Sequence, residues 1–182
     1  MNFGNIKYNA IEDGVGCRTV LFVSGCRHHC KGCFQPATWN FDYGQELTDD
    51  IKQQILDSLN QSYMRGLTIL GGEPFEPENQ RELLPFIRQV KELYPDKDIW
   101  MYSGYTIEEL LDDQYDCCTE DTLEILSSID ILVDGEFMED LKDISLPFRG
   151  SGNQRVIDVP ATLEKETIVL SSYGEREEYD ER

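Results

Sequence analysis

Basic residues are scarce in this chain of 182 residues, with 16 Lys and Arg against 36 Asp and Glu and a formal net charge of -20. A surface of that sign repels phosphate backbones, which argues against nucleic-acid binding by counterion release. No apolar run approaches the ~20 residues a membrane span needs, and no membrane association is expected. The opening "MNFGNIKYNAIEDG" lacks the basic segment and apolar stretch of a secretory signal, so the cytoplasm is the expected compartment. Thiols stay reduced there, which argues against a disulfide framework for the six cysteines. No repeat, low-complexity tract or linker interrupts the sequence. With 40% hydrophobic residues the length suits one domain. Residues 1–160 are read as that domain and 161–182 as its acidic C-terminal extension, ending in the solvated run "GEREEYDER".

The patterns present alternate between strand and helix. "TVLFVS" (19–24), "LTIL" (67–70), "DIWMYS" (98–103), "IDILVD" (129–134) and "QRVIDV" (154–159) read as strands. Thr48 begins a helix with Ile51, Ile55, Leu59 and Tyr63 on one face. A second helix over 78–94 is expected to open or kink at Pro85. Thr106 and Glu109 form a capping box, and a further helix is expected from Thr119 to about Ser128. The alternation predicts an α/β fold with a parallel sheet, open or curled into part of a barrel. The cysteine loop, "GGEP" (71–74), "SGY" (103–105) and "DGEF" (134–137) each follow a strand. A parallel array gathers all such loops at one rim, where α/β folds build their sites.

Three of the six cysteines, Cys26, Cys30 and Cys33, crowd into "GCRHHCKGCF". A structural zinc needs a fourth ligand, and His28 or His29 would have to supply it from inside the same short loop. A [4Fe–4S] cluster takes four cysteines, one per iron, so three leave one iron open to a small molecule. Cys17 falls at the far end of the first strand, and Cys117 and Cys118 in an acidic stretch between helices. The open iron is therefore the preferred reading.

C-x3-C-x2-C followed by an aromatic residue, with "GGEP" after the next strand, resembles the radical S-adenosylmethionine (SAM) superfamily. "DGVGCRTVLFVSGCRHHCKGCFQPATW", "DIWMYSGYT", "ILVDGEF" and "DLKDISLPFRGSGNQRVI" are similar to the family of anaerobic ribonucleoside-triphosphate reductase activating proteins, from about Ala10 to Asp158. Gln35 stands where that family often has Asn, and Cys17 in a loop usually without cysteine. The resemblance implies a partial (β/α) barrel of radical SAM type with about five to six parallel strands. It implies a [4Fe–4S] cluster on Cys26, Cys30 and Cys33, and SAM on the open iron, cleaved reductively to a 5′-deoxyadenosyl radical. The radical would install a glycyl radical on the large reductase subunit, with flavodoxin or ferredoxin as electron donor. Gly32, Cys33 and Phe34 would lie along SAM, Phe34 beside the adenine. Gly71, Gly72, Glu73 and Pro74 would meet its methionine end, with ribose or methionine contacts from Ser103 and Asp134. Ser103 and Asp134 are equally suited to capping the turns that follow them. His28, His29 and "RGSGNQR" (149–155) take no assigned role. Other compact radical SAM enzymes, including activases of other glycyl-radical enzymes, usually lack "RGSxNQ". A zinc-stabilised interaction module is the non-enzymatic alternative.

Overall fold

Side chains alternate across the central strands, and the two sets are covered by different things. The computed structural model describes residues 1–175. The strands β1 (Asn2–Ala10), β2 (Cys17–Val23), β3 (Gln45–Glu46), β4 (Met64–Gly71), β5 (Asp98–Tyr102), β6 (Ile131–Asp134) and β7 (Arg155–Asp158) form one open sheet. Its order is β3-β1-β2-β4-β5-β6-β7. β2, β4, β5 and β6 run parallel, while β1, β3 and β7 pair antiparallel with their neighbours.

The helices are α1 (Asp49–Leu59), α2 (Pro77–Leu93), α3 (Ile107–Leu110), α4 (Thr122–Ser128) and α5 (Val159–Lys165). On one sheet face Leu21, Leu67, Ile69, Ile99, Met101, Leu132 and Ile157 pack against Ile55 and Leu59 of α1, Phe86 and Ile87 of α2, and Ile125 of α4. Each such fully buried side chain contributes on the order of 1.5–3 kcal/mol through apolar burial. The opposite face carries Val20, Phe22, Trp100, Val133 and Val156, in two small clusters that contain no helical residue. Loops cover that face, and they leave part of it open.

Seven strands replace the five or six expected, and not all are parallel. β1 escapes sequence reading because its "NFGNIKYNA" is rich in Asn and mostly not buried; pairing with β2 is what makes it a strand. β7 was expected to join the parallel array. Residues 135–154 hold a 3-10 turn at Glu139–Leu141 and a bridge between Lys142 and Ser151 but no crossover helix, and the chain returns antiparallel. Thr48 caps α1 by accepting from the Ile51 N–H at 3.4 Å. Thr106 and Glu109 form the full capping box of α3. α2 runs through Pro85, which sits on its exposed side. Tyr63 lies beyond α1, and Leu56 takes the buried place on its face. α5 follows β7, and Gly174 packs on Val156, so the chain beyond β7 folds back on the sheet. Most of the acidic terminal run, 176–182, lies outside the described residues. Among the described residues no helix is long and apolar enough to cross a membrane.

Candidate metal and cofactor centre

The loop after β2 is built by close backbone packing. Gly25 adopts φ +96°, and a Cβ there would lie 2.4 Å from the Phe41 ring, so only glycine fits. Its N–H donates to Thr38 O at 2.8 Å, and the Cys26 N–H donates to Trp39 O at 3.2 Å. The loop after β4 then locks on: Gly72 N–H donates to Val23 O and Glu73 N–H to Gly25 O, both at 2.7 Å. A Cβ on Gly72 would meet Gly25 O at 2.5 Å. The "GGEP" glycines therefore let two loops lie backbone against backbone.

Cys26, Cys30 and Cys33 line one cleft of about 510 Å³ on the helix-free face, at the C-terminal ends of the parallel strands. Gly71, Gly72, Glu73, Ser103 and Phe34 share its lining, whereas Gly32, Pro74 and Asp134 do not. Cys17, Cys117 and Cys118 lie off the cleft, and all six cysteines are free. Burial pushes the Cys26 thiol up to about 12 and Cys30 up to about 11, so iron must displace protons to bind there. One backbone donor points at these sulfurs: the Gln35 N–H reaches Cys33 Sγ at 3.4 Å. Such a bond favours the thiolate and tunes a cluster's potential.

Among the described residues no three His, Cys, Asp or Glu side chains are grouped to hold a single metal ion. A zinc site needs four donors converging within about 2.3 Å of one ion. A [4Fe–4S] cluster gives each cysteine its own iron and asks only that the thiols face a common space. The three cysteines fit the cluster. The histidines add no fourth ligand to the loop: His29 stacks on Trp39 at 4.6 Å, and His28 Nε2 lies 3.1 Å from Glu73 Oε2. Burial works against a charge on His28, but the bond to Glu73 and the nearby carboxylates outweigh it and raise its pKa.

Glu73 is a buried carboxylate with a full set of donors. Oε1 accepts from Phe75 N–H at 2.8 Å and Ser103 Oγ at 2.9 Å, and Oε2 from Gly104 N–H at 2.7 Å besides facing His28. Its side chain ties three loops together, and Ser103 is spent partly on that tie. Asp134 is fully buried: it accepts from Ile107 N–H at 2.8 Å and from Arg155 Nε at 2.9 Å, which caps α3 and anchors β7. Phe34 is 64% exposed at the cleft mouth, with Phe137 at 5.2 Å and the Lys142 ammonium 4.9 Å from its ring centre. It is not a core residue.

Several cleft residues escaped the sequence reading. Phe22, Leu70 and Tyr102 reach it from the helix-free face, and Phe137, Phe148 and Gln154 from the segment between β6 and β7. The period-two alternation of β2, β4 and β5 carried the first set; the second set carries no local periodic signal.

A family model described as a 4Fe-4S single cluster domain matches residues 12–157. The anaerobic ribonucleoside-triphosphate reductase-activating protein of Pasteurella multocida is 42% identical over 158 residues, covering 85% of this chain and 95% of that protein. The proteins of the same name from Enterobacteria phage T4 and Escherichia coli K12 are both 38% identical. They cover 86% of this chain and 93% and 97% of their own lengths. This chain belongs to the family of anaerobic ribonucleoside-triphosphate reductase-activating proteins.

Proposed function

We propose that the protein activates an anaerobic ribonucleoside-triphosphate reductase by generating a glycyl radical on it, through a [4Fe–4S] cluster and SAM. The observation that carries the reading is the cleft: three cysteines and no fourth, lining one space with the "GGEP" backbone and an exposed aromatic ring. In this reading the open sheet is a partial barrel of radical SAM type. Held by Cys26, Cys30 and Cys33, a cluster would supply one electron for the reductive cleavage of SAM into methionine and a 5′-deoxyadenosyl radical able to take a hydrogen atom from the glycine.

The chain's own residues hold, orient and shield. Cys26, Cys30 and Cys33 would ligate three irons, and the Gln35 N–H directed at Cys33 would stabilise its thiolate. The Gly71–Gly72 backbone, lacking side chains, would admit the methionine end of SAM, and Phe34 would flank the adenine. Glu73 contributes through its backbone and by fixing the loop positions, since its carboxylate is already occupied. Asp134 supports the rim from below through Arg155 and α3.

The cleft opens to solvent on the loop-covered face, so the reductase loop that carries the glycine would itself complete the wall and exclude water. A one-electron donor such as flavodoxin or ferredoxin would reduce the cluster, in the reducing cytoplasm that six free thiols suit. The test is anaerobic incubation with the reductase, SAM and dithionite, read by electron paramagnetic resonance. A protein-radical doublet on the reductase, absent from this chain, is expected. No radical, with cluster and SAM demonstrably bound, overturns the reading.

A further inference from the structure

Single apolar side chains on a protein surface are ordinary, but the most exposed ones here are grouped. Among the described residues the three most exposed large hydrophobics are Ile144 at 90%, Ile11 at 74% and Phe34. All three stand at the mouth of the cleft that holds the cysteines. Ile144 and Phe34 are in its lining, and Ile11 immediately precedes Glu12 and Asp13, which also line it. They come from three separate segments: the connection between β1 and β2, the cysteine loop, and the connection between β6 and β7. Ion pairs tie into the same segments, Lys7 with Glu12 at 2.7 Å and Lys31 with Glu139 at 3.0 Å. Apolar groups around an opening, edged by paired charges, have the anatomy of a protein interface.

The supports of both isoleucines are fastened. Thr68 Oγ1 of β4 donates to Asp13 O at 2.8 Å and fixes the 11–16 connection on the helix-free face. The connection between β6 and β7 is closed at its base by "GSGNQ" (150–154). Gln154 Nε2 donates to Gly135 O at 3.0 Å, its Oε1 accepts from Gly150 N–H at 2.8 Å, and Asn153 Nδ2 donates to Glu136 O at 2.8 Å. Ile144 lies beyond the bridge between Lys142 and Ser151, held out by a loop that is tied shut.

We propose that Ile144 and Ile11 are docking contacts for the reductase, whose glycine-bearing surface lies over the cleft mouth and buries both side chains. This rests on the activating function proposed above and names the surface that serves it. A glycine held on a large protein reaches the cysteine-lined cleft only if that protein's surface meets the mouth. Closing the mouth then takes the two isoleucines out of water, which favours association. Loops already fastened lose little freedom when the partner seats. "GSGNQ" thereby gains a positioning role, since it ties the loop that presents Ile144.

The test is the affinity of the anaerobically reconstituted protein for the reductase, measured by calorimetry without SAM or reductant so that no radical chemistry intervenes. Ile144→Asn and Ile11→Asn should each weaken it about tenfold, the loss of one buried aliphatic contact, and the double variant about a hundredfold. Iron content and denaturation midpoint should hold at wild-type values, since neither side chain packs in the core. Leu123→Asn, on exposed α4 across the sheet from the cleft, should leave the affinity unchanged. Wild-type affinity in the double variant overturns the proposal, as does an equal loss in Leu123→Asn or a reductase that the wild type does not bind. A second copy of this chain is the rival occupant, and sedimentation of the isolated protein distinguishes it. A dimer that the double variant dissociates, with reductase affinity unchanged, overturns the proposal. Docking that depends on both isoleucines, with no radical formed once SAM and dithionite are added, supports the surface and overturns only the radical chemistry.

Discussion

The two faces of the sheet use the same strands for opposite purposes. The face of Leu21, Ile69, Met101 and Leu132 is closed by α1, α2 and α4 and holds the large hydrophobic core. The face of Phe22, Leu70 and Tyr102 borders the cleft, under loops and beside the cysteines. Adjacent residues in one strand thus serve stability and site by turns, because a strand sends successive side chains to opposite sides. Mutations one position apart should therefore have separable effects.

The largest effect is expected at the cysteines. Cys30→Ala should abolish the intact cluster and SAM cleavage, while Cys117→Ala, buried beneath Glu109 O and off the cleft, should leave the iron content unchanged. Iron analysis and the visible absorption of the anaerobic protein read this. Equal loss in the two variants would erase the distinction between the faces.

Next come the closed-face residues. Ile69→Ala should destabilise by about 2–5 kcal/mol through lost transfer energy and the cavity left behind. Its neighbour Leu70, half-buried on the cleft side, should lose much less as Ala, as denaturant midpoints will show. Arg155→Ala leaves Asp134 buried without its cation and should cost about 3 kcal/mol, the low end for breaking a buried pair, since the Arg155 side chain is 28% exposed. The smallest effect on folding belongs to Phe34. Phe34→Ala should leave the denaturation midpoint unchanged and weaken SAM binding about tenfold, a loss of one aromatic contact worth roughly 1.4 kcal/mol. Calorimetry on the reconstituted protein measures it.

The closed face was largely legible in the sequence, because apolar alternation and helix caps are local signals. The four parallel strands, Thr48 as a cap and the Thr106–Glu109 box all lie where the pattern put them. The gathering of the cysteine loop, "GGEP" and Ser103 at one rim was legible too, from their places after successive strands. What stayed hidden depends on contacts distant in the chain. β1 is a strand only through β2, and the direction of β7 follows from a connection with no crossover helix. Asp134 ends its strand as expected, yet it turns to Arg155 and the start of α3 and not to the turn that follows it. Nothing local could reveal that Glu73 spends its carboxylate on Phe75, Ser103, Gly104 and His28, since three of those partners lie about thirty or more residues away.

The measurement that bears most directly on the account is the spectrum of the reduced cluster with and without SAM. If three cysteines on the open face leave one iron for a small molecule, adding SAM to the dithionite-reduced protein should change the electron paramagnetic resonance spectrum. The change should disappear in Cys30→Ala and persist in Cys117→Ala. A four-iron cluster whose spectrum is indifferent to SAM, or a cluster lost as completely with Cys117→Ala as with Cys30→Ala, would contradict it.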